Sequence, residues 1–157
     1  MPIAITEEQR AVQDSIGAWA VGAGTHAAIR AREDQRDHPP DREYWNERAG
    51  FGLFGMALPA AMGGAGGTTV DLATTLEQAA AELVPGPLLP TALAGLVLRE
   101  IAEVPAAKQT VLEIAEGTVA LACTLDGGTL RAEAAEGGGL IVSGAVGRSS
   151  GLARPNR

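Results

Sequence analysis

The 157-residue chain is short of the residues that most small domains use as fasteners: it has one cysteine, Cys123, two histidines, and aromatic side chains at 3% of the total. One cysteine excludes an intrachain disulfide, a Cys-x-x-Cys metal site and a dithiol redox pair. Few aromatics leave a core of Ala, Leu and Val, which packs closely but buries little area per residue. Long apolar runs are also missing. The most apolar stretch, residues 88–98, ends at Arg99-Glu100, short of the roughly 20 residues a membrane-spanning helix needs. Basic residues are in deficit, 12 Lys and Arg against 19 Asp and Glu for a net charge of −7. That balance disfavours nucleic acid, whose binding rests on Lys and Arg neutralising phosphate. The chain opens Met1-Pro2 and reaches Glu7-Glu8 before any apolar run, unlike a secretory signal with its basic start. The reading is a soluble protein of a reducing, cytoplasmic setting.

Hydrophobic residues at 46% and charged residues at 20% describe a globular chain, long enough for one domain or one domain and part of another. Thr6 followed three positions later by Gln9, with Glu7 and Glu8 between them, has the form of a capping box at a helix start. Val12, Ile16, Trp19, Ala23 and Ala27 then fall on one face at helical spacing. Trp19 is the expected anchor of that face, worth about 2 to 3 kcal/mol if fully buried. Gly17, Gly22 and Gly24 either admit a close helix neighbour or fray the helix. Pro39-Pro40 closes a charged connector, after which Asp41 caps a short helix through Ala49, carrying Tyr44 and Trp45.

Further on, the glycines at 63, 64, 66 and 67 allow a tight turn, and Thr68 or Thr69 caps a helix whose buried stripe is expected at Leu72, Leu76, Ala79 and Leu83. Pro85, Gly86 and Pro87 end it. Pro90-Thr91 opens a helix to about Glu103, and Pro105 another to Glu116. After Gly117 the pattern changes to strands at 119–125 and 140–146, with a further strand possible at 129–135. The chain is thus mainly α, helical over 1–117, with an incomplete β domain over 118–148 and an irregular tail at 149–157.

Constellations for chemistry are sparse. The glycine turn before a helix invites a phosphate cradle, but no Lys-Ser/Thr follows and Thr69 stands where a third glycine would complete G-x-G-x-x-G. A tight turn joining two packed elements is the preferred reading. Cys123 has no evident base, since His26 and His38 lie far off in sequence, and it reads as a small core residue. Glu33, Asp34 and Asp37 with the histidines read as a solvated connector, and no metal is assigned.

Four ordered elements carry a resemblance: Phe-Gly-Leu-Phe-Gly-Met-Ala-Leu-Pro at 51–59, Met-Gly-Gly-Ala-Gly-Gly at 62–67, Asp-Leu-Ala at 71–73, and Leu-Val-Pro-Gly-Pro-Leu-Leu at 83–89. Together they resemble the N-terminal helical domain of acyl-CoA dehydrogenases. The similarity covers about residues 5–148 and is strongest over 50–90. It implies a helical bundle passing into a β domain, FAD as cofactor, α,β-dehydrogenation of an acyl-CoA thioester, an electron-transfer flavoprotein as partner, and a homo- or hetero-oligomer. It also implies that the segment after Pro87 lines the acyl-chain cavity, with Leu88, Leu89, Thr91, Ala92 and Gly95 facing substrate. The same five positions read equally well as ordinary helix-packing core.

The flavin-binding pattern of the family fades here. Residues 121–126, Leu-Ala-Cys-Thr-Leu-Asp, put either Thr124 on the family's Thr or Asp126 on its Glu, not both, so Thr124 is the one cofactor-contact candidate. The C-terminal bundle that carries the family's catalytic carboxylate has no counterpart, and no catalytic residue is nominated. The polar tail Ser-Ser-Gly-Leu-Ala-Arg-Pro-Asn-Arg leaves β edges unpaired. The expectation is a truncated, frame-shifted or deliberately short chain, inactive alone; the alternative is a non-catalytic partner subunit of a heteromeric acyl-CoA dehydrogenase.

Overall fold

The expected capping box forms at Thr6, the Thr68 cap proves to be a second box, and the two are joined. In the computed structural model, which describes residues 5–33, 51–125 and 128–147, helix α1 (Glu7–Gly22) starts where the Thr6 hydroxyl accepts from Gln9 N at 3.1 Å and Gln9 Oε1 accepts from Thr6 N at 3.0 Å. Helix α3 (Thr69–Ala81) repeats the device: Thr68 N donates to Asp71 Oδ2 at 2.7 Å and Asp71 N to Thr68 Oγ1 at 3.2 Å. Each box satisfies donors that a helix start leaves without partners. Gln9 Nε2 then donates to Asp71 Oδ1 at 2.6 Å, so one amide ties the N-terminus of α1 to that of α3.

The first helix is shorter than its spacing predicts. It ends at Gly22, Ala23 and Gly24 turn the chain with Gly24 at φ 61, and α2 (Thr25–Glu33) begins anew. Glycine takes that left-handed conformation without the penalty a Cβ brings. Thr25, 1% exposed, fixes the break by donating to Glu82 O at 2.9 Å. Consequently Val12, Ile16 and Trp19 pack inward while Ala27 is exposed. Trp19 is half-buried, tilted 56° against Phe51 at 5.3 Å between centroids. The expected helix of residues 41–49 lies outside the described residues.

Residues 51–67 fold back on themselves around a 3-10 turn (Ala60–Met62). Gly64 N bonds Pro59 O, Ala65 N bonds Gly55 O, Gly66 N bonds Leu58 O and Gly67 N bonds Met56 O, at 2.8 to 3.1 Å. These amides are spent inside the turn, which is why it is architecture and offers no anion cradle. A Cβ on Gly64 would collide with the Leu58 carbonyl, so only glycine fits there. The turn drives Leu53, Phe54 and Leu58, each at most 2% exposed, into the centre of the molecule.

Helix α3 stops with a Schellman motif: Leu83 N bonds Ala80 O at 3.0 Å and Val84 N bonds Ala79 O at 2.9 Å. Leu83 sits in the left-handed region at φ 53 and is 51% exposed, so it leaves the expected stripe. Val84, 7% exposed, takes the buried place. Helix α4 (Leu88–Arg99) starts two residues before Pro90, which sits in the first turn where its missing N–H costs nothing, and ends short of Glu103. Helix α5 (Pro105–Ala115) has Pro105 at its first turn and Gly117, at φ 70, in its closing turn. Its range matches the sequence reading.

Helix α1 lies on α3, α4 on α5, and the 3-10 turn on α5. The central cluster of Ile16, Leu53, Phe54, Ala79, Val84, Leu88 and Ile114 joins α1, α3, α4 and α5. Residues 119–125 do not form the expected strand. Val119 and Leu121 pack on the core, and Leu121 exchanges N–H and C=O bonds with the Thr91 hydroxyl at 3.0 and 3.3 Å. Among the described residues the strands form one antiparallel hairpin, β1 (Arg131–Ala134) with β2 (Leu140–Ser143), pairing Ala132 with Val142 and Ala134 with Leu140. Helical domain and incomplete β region agree with the fold read from sequence. Among the described residues no helix is long and apolar enough to cross a membrane.

Two predictions follow from the helix ends. Leu83→Gly is expected to stabilise the fold by up to about 1 kcal/mol, because it relieves a left-handed Cβ at a half-exposed site; urea unfolding measures it, and a loss of stability would show that the Leu83 side chain outweighs the strain. The Gln9 amide and the Thr68 N–H and hydroxyl hold the Asp71 carboxyl below its ordinary value of 3.8. A depressed folded-state pKa contributes stability that is complete above the ordinary value and is lost as pH falls through the folded one. Asp71→Asn should therefore be less stable than wild type near neutrality and converge with it in acid. Parallel unfolding curves from pH 7 to about pH 2 would refute the assignment.

Candidate functional site

The side of α4 away from α5 carries the candidate site. Between α3 and α4 runs an open groove of about 520 Å³, walled by Leu72, Leu76 and Ala80 from α3 and by Leu88, Leu89, Leu93 and Leu96 from α4, with Val84 at one end. Thr69 and Glu77 are its polar members. The helix starts explain the alignment: the Thr68 box fixes where α3 begins, and the Pro85-Gly86-Pro87 turn returns the chain so that α4 lies alongside. Leu72 at 3%, Val84 at 7% and Leu88 at 7% are buried, whereas Leu89 is 53% exposed.

The five residues nominated from sequence separate on the helix. Leu88 and Leu89 border the groove. Thr91 is 0% exposed and spends its hydroxyl on the Leu121 backbone. Ala92, 2% exposed, packs with Leu72 and Ala57. Gly95 faces α5, where a Cβ would meet Ile114 Cγ2 at 3.5 Å and Leu58 Cδ2 at 3.7 Å. Sequence reasoning missed Leu93 and Leu96, although they stand four and seven positions after Leu89 and so share its face. It also missed Leu76 and Ala80 as the opposing wall.

Ionic chemistry at the groove is slight. Glu77 is the one carboxylate among its lining residues. Arg99, the cation at the end of α4, is committed elsewhere, donating to Ala57 O at 2.6 Å and to Glu100 Oε1 at 2.9 Å. His26 lies 3.9 Å from Glu82. Cys123 is half-buried in the segment after α5. Among the described residues no group of His, Cys, Asp or Glu could hold a metal ion. Thr124 is half-buried and borders neither this groove nor a second, smaller cleft beside α1. What the groove can do is sequester an extended apolar group.

A sequence model described as "Acyl-CoA dehydrogenase, N-terminal domain" matches residues 6–113, which ends where the helices give way to coil. The chain is 38% identical over 107 residues to acyl-CoA dehydrogenase FadE34 of Mycobacterium tuberculosis, covering 64% of this chain and 15% of that protein. It is 32% identical over 121 residues to acyl-CoA dehydrogenase IpdE2 of the same organism, covering 76% of this chain and 37% of the relative. The IpdE2 of Mycolicibacterium smegmatis is 30% identical over 115 residues, 72% of this chain and 35% of the relative. The chain thus spans well under half the length of each of these relatives. No solved structure gives a significant match.

Because Gly95 faces α5 and not the groove, Gly95→Ala is expected to raise stability by up to about 1 kcal/mol, the usual cost of an interior helix glycine. Thermal or urea unfolding measures the change. Destabilisation by more than about 1 kcal/mol would show that α4 and α5 approach too closely for a methyl group.

Proposed function

This chain belongs to the acyl-CoA dehydrogenase family, and from that membership we propose that its α3–α4 groove forms one wall of the site where the acyl chain of an acyl-CoA thioester is held for α,β-dehydrogenation. The observation that carries the reading is the apolar, open character of the groove. Aligning an acyl chain along Leu76, Leu89 and Leu93 removes it from water and restrains the carbon atoms next to the thioester, which is how binding energy serves reaction at a fixed position. The reaction removes the α-proton to a carboxylate and passes the β-hydrogen as hydride to an oxidant. No carboxylate of residues 5–33, 51–125 and 128–147 is nominated as that base. In this reading FAD and the base are held by other parts of a larger enzyme, electron-transfer flavoprotein accepts the electrons, and the chain alone is inactive.

One observation favours a second role, that of a non-catalytic partner subunit. Ala132, Ala134, Leu140 and Val142 share one face of the hairpin, and Leu140 and Val142 are 68% and 61% exposed. An apolar sheet face of this kind is ordinarily covered by another layer.

Titration calorimetry with saturated acyl-CoAs of increasing length tests the main reading. Each methylene that enters the groove contributes about 0.8 kcal/mol, so affinity should rise by up to about fourfold per carbon, while CoA itself lacks this term. Leu93→Asp, at a position outside the central core, should abolish the length dependence and leave the helical circular dichroism unchanged. Equal affinity for short and long chains in the wild type would overturn the proposal.

A further inference from the structure

A second cleft, sharing no residue with the acyl groove, lies on the opposite flank of α3 against the first turns of α1. It has a volume of about 200 Å³ and is bordered by Glu8, Gln9, Asp71 and Thr74, with Val12 and Met56 as its apolar side. Thr74 is 6% exposed, and its hydroxyl has no hydrogen-bond partner among the described residues. The neighbouring Thr75 shows the usual solution, donating to Asp71 O one turn back at 2.7 Å. A hydroxyl buried without a partner is costly and uncommon in a native fold, and it calls for an explanation.

Lone-pair accounting gives one. Asp71 accepts from Gln9 Nε2 on Oδ1 and from Thr68 N and Oγ1 on Oδ2, which leaves one acceptor direction on Oδ1. Glu8 makes no hydrogen bond or ion pair among the described residues, so its acceptors are open. Gln9 spends its oxygen on Thr6 N and one amide hydrogen on Asp71, which leaves its second amide N–H. The cleft therefore holds acceptors from Glu8, Asp71 and Thr74 against two donors, the Thr74 hydroxyl and the second Gln9 amide N–H, and it carries two carboxylates. An anion is repelled there. A neutral alcohol offers one donor, too few for three acceptor groups. A primary ammonium offers three donors and a positive charge.

We propose that this cleft binds the primary ammonium group of a small aliphatic amine, held by Thr74 Oγ1 and the Glu8 and Asp71 carboxylates, with the alkyl part against Val12 and Met56. The size agrees: a cavity of about 150 Å³ takes a six-carbon ring, so there is room for an amine of about five or six heavy atoms. Occupancy would reinforce the tie between α1 and α3, because the ligand touches Asp71, the residue at which both capping boxes meet. Binding to the folded state alone then raises stability by mass action.

Thermal unfolding of the wild-type chain with n-butylammonium chloride, at constant ionic strength, is the test. 1-Butanol and tetramethylammonium chloride serve as controls that lack the charge and the N–H donors respectively. The expected result is a saturable rise in Tm with n-butylammonium and none with either control. Thr74→Val should fold at least as stably as wild type, since it removes the orphan hydroxyl, and should weaken the amine response about tenfold or more. Glu8→Gln, at an exposed position, should weaken it as well and keeps the test open if the valine variant unfolds. No saturable shift up to about 100 mM amine, a range that captures even very weak binding, would overturn the proposal and leave the cleft to water. An equal shift with tetramethylammonium, or a full response in both variants, would overturn it too.

Discussion

The rest of the molecule depends on the burial of residues 53–58 beneath their own glycine turn. An irregular segment in a core is normally costly because its backbone polar groups lose water. Here the cost is met locally, since the amides of residues 64–67 bond the carbonyls of residues 55, 56, 58 and 59, and Arg99 donates to Ala57 O. The closeness of that fold-back is possible only because position 64 has no Cβ. With its backbone satisfied, the segment presents Leu53 and Phe54 to the central cluster, Ala57 to α3 and α4, and Leu58 to α5. Helices α1, α3, α4 and α5 all meet this insert, in addition to the α1–α3 and α4–α5 contacts. In a chain so poor in aromatics, Phe54 at the centre is a large share of the buried area the core can offer.

How much of this was legible in the sequence depended on the range of each signal. The box at Thr6, the Thr cap at 68 or 69, the proline start of α5 and the glycine after it are local, and they appear where the residues put them, the cap at Thr68. Periodicity alone misplaced Leu83, because a Schellman ending exchanges the next residue of the stripe for the one after it, and the buried contact passes to Val84. It also ran α1 through Gly24, where the backbone cost of two nearby glycines and the Thr25 bond to Glu82 favour a break. The apolar run at 119–125 reads as a strand, but a strand exists only with a partner ladder. Thr91 offers that backbone its bonds instead.

The site was half legible for the same reason. A helix periodicity states which residues share a face and not which face meets which neighbour. Leu88 and Leu89 were found because they follow the Pro-Gly-Pro turn. Thr91, Ala92 and Gly95 share the segment but turn toward residue 121, the α3 side of the core and α5 respectively. Only the placement of α5, fixed by long-range packing of Ile114 and Val111, decides that.

Helix α4 is apolar nearly all round, a pattern that belongs to helices covered on more than one side. Its duties divide by face. Leu88, Ala92 and Gly95 hold the helix to the core, with exposures of 7% for Leu88 and 2% for Ala92, so changes there act on folding first. Leu89, half exposed, and Leu93, which joins none of the core clusters, form the groove wall at little cost to the core. Leu88 serves both the core and the groove, but Leu89 and Leu93 shape the groove without belonging to a core cluster. The groove's width can be altered at Leu89 and Leu93 without disturbing the buried insert on which the fold rests. The opposite flank of α3 follows another logic: Asp71 there is both structural tie and cleft wall, so whatever the cleft binds acts on stability and cannot be separated from it.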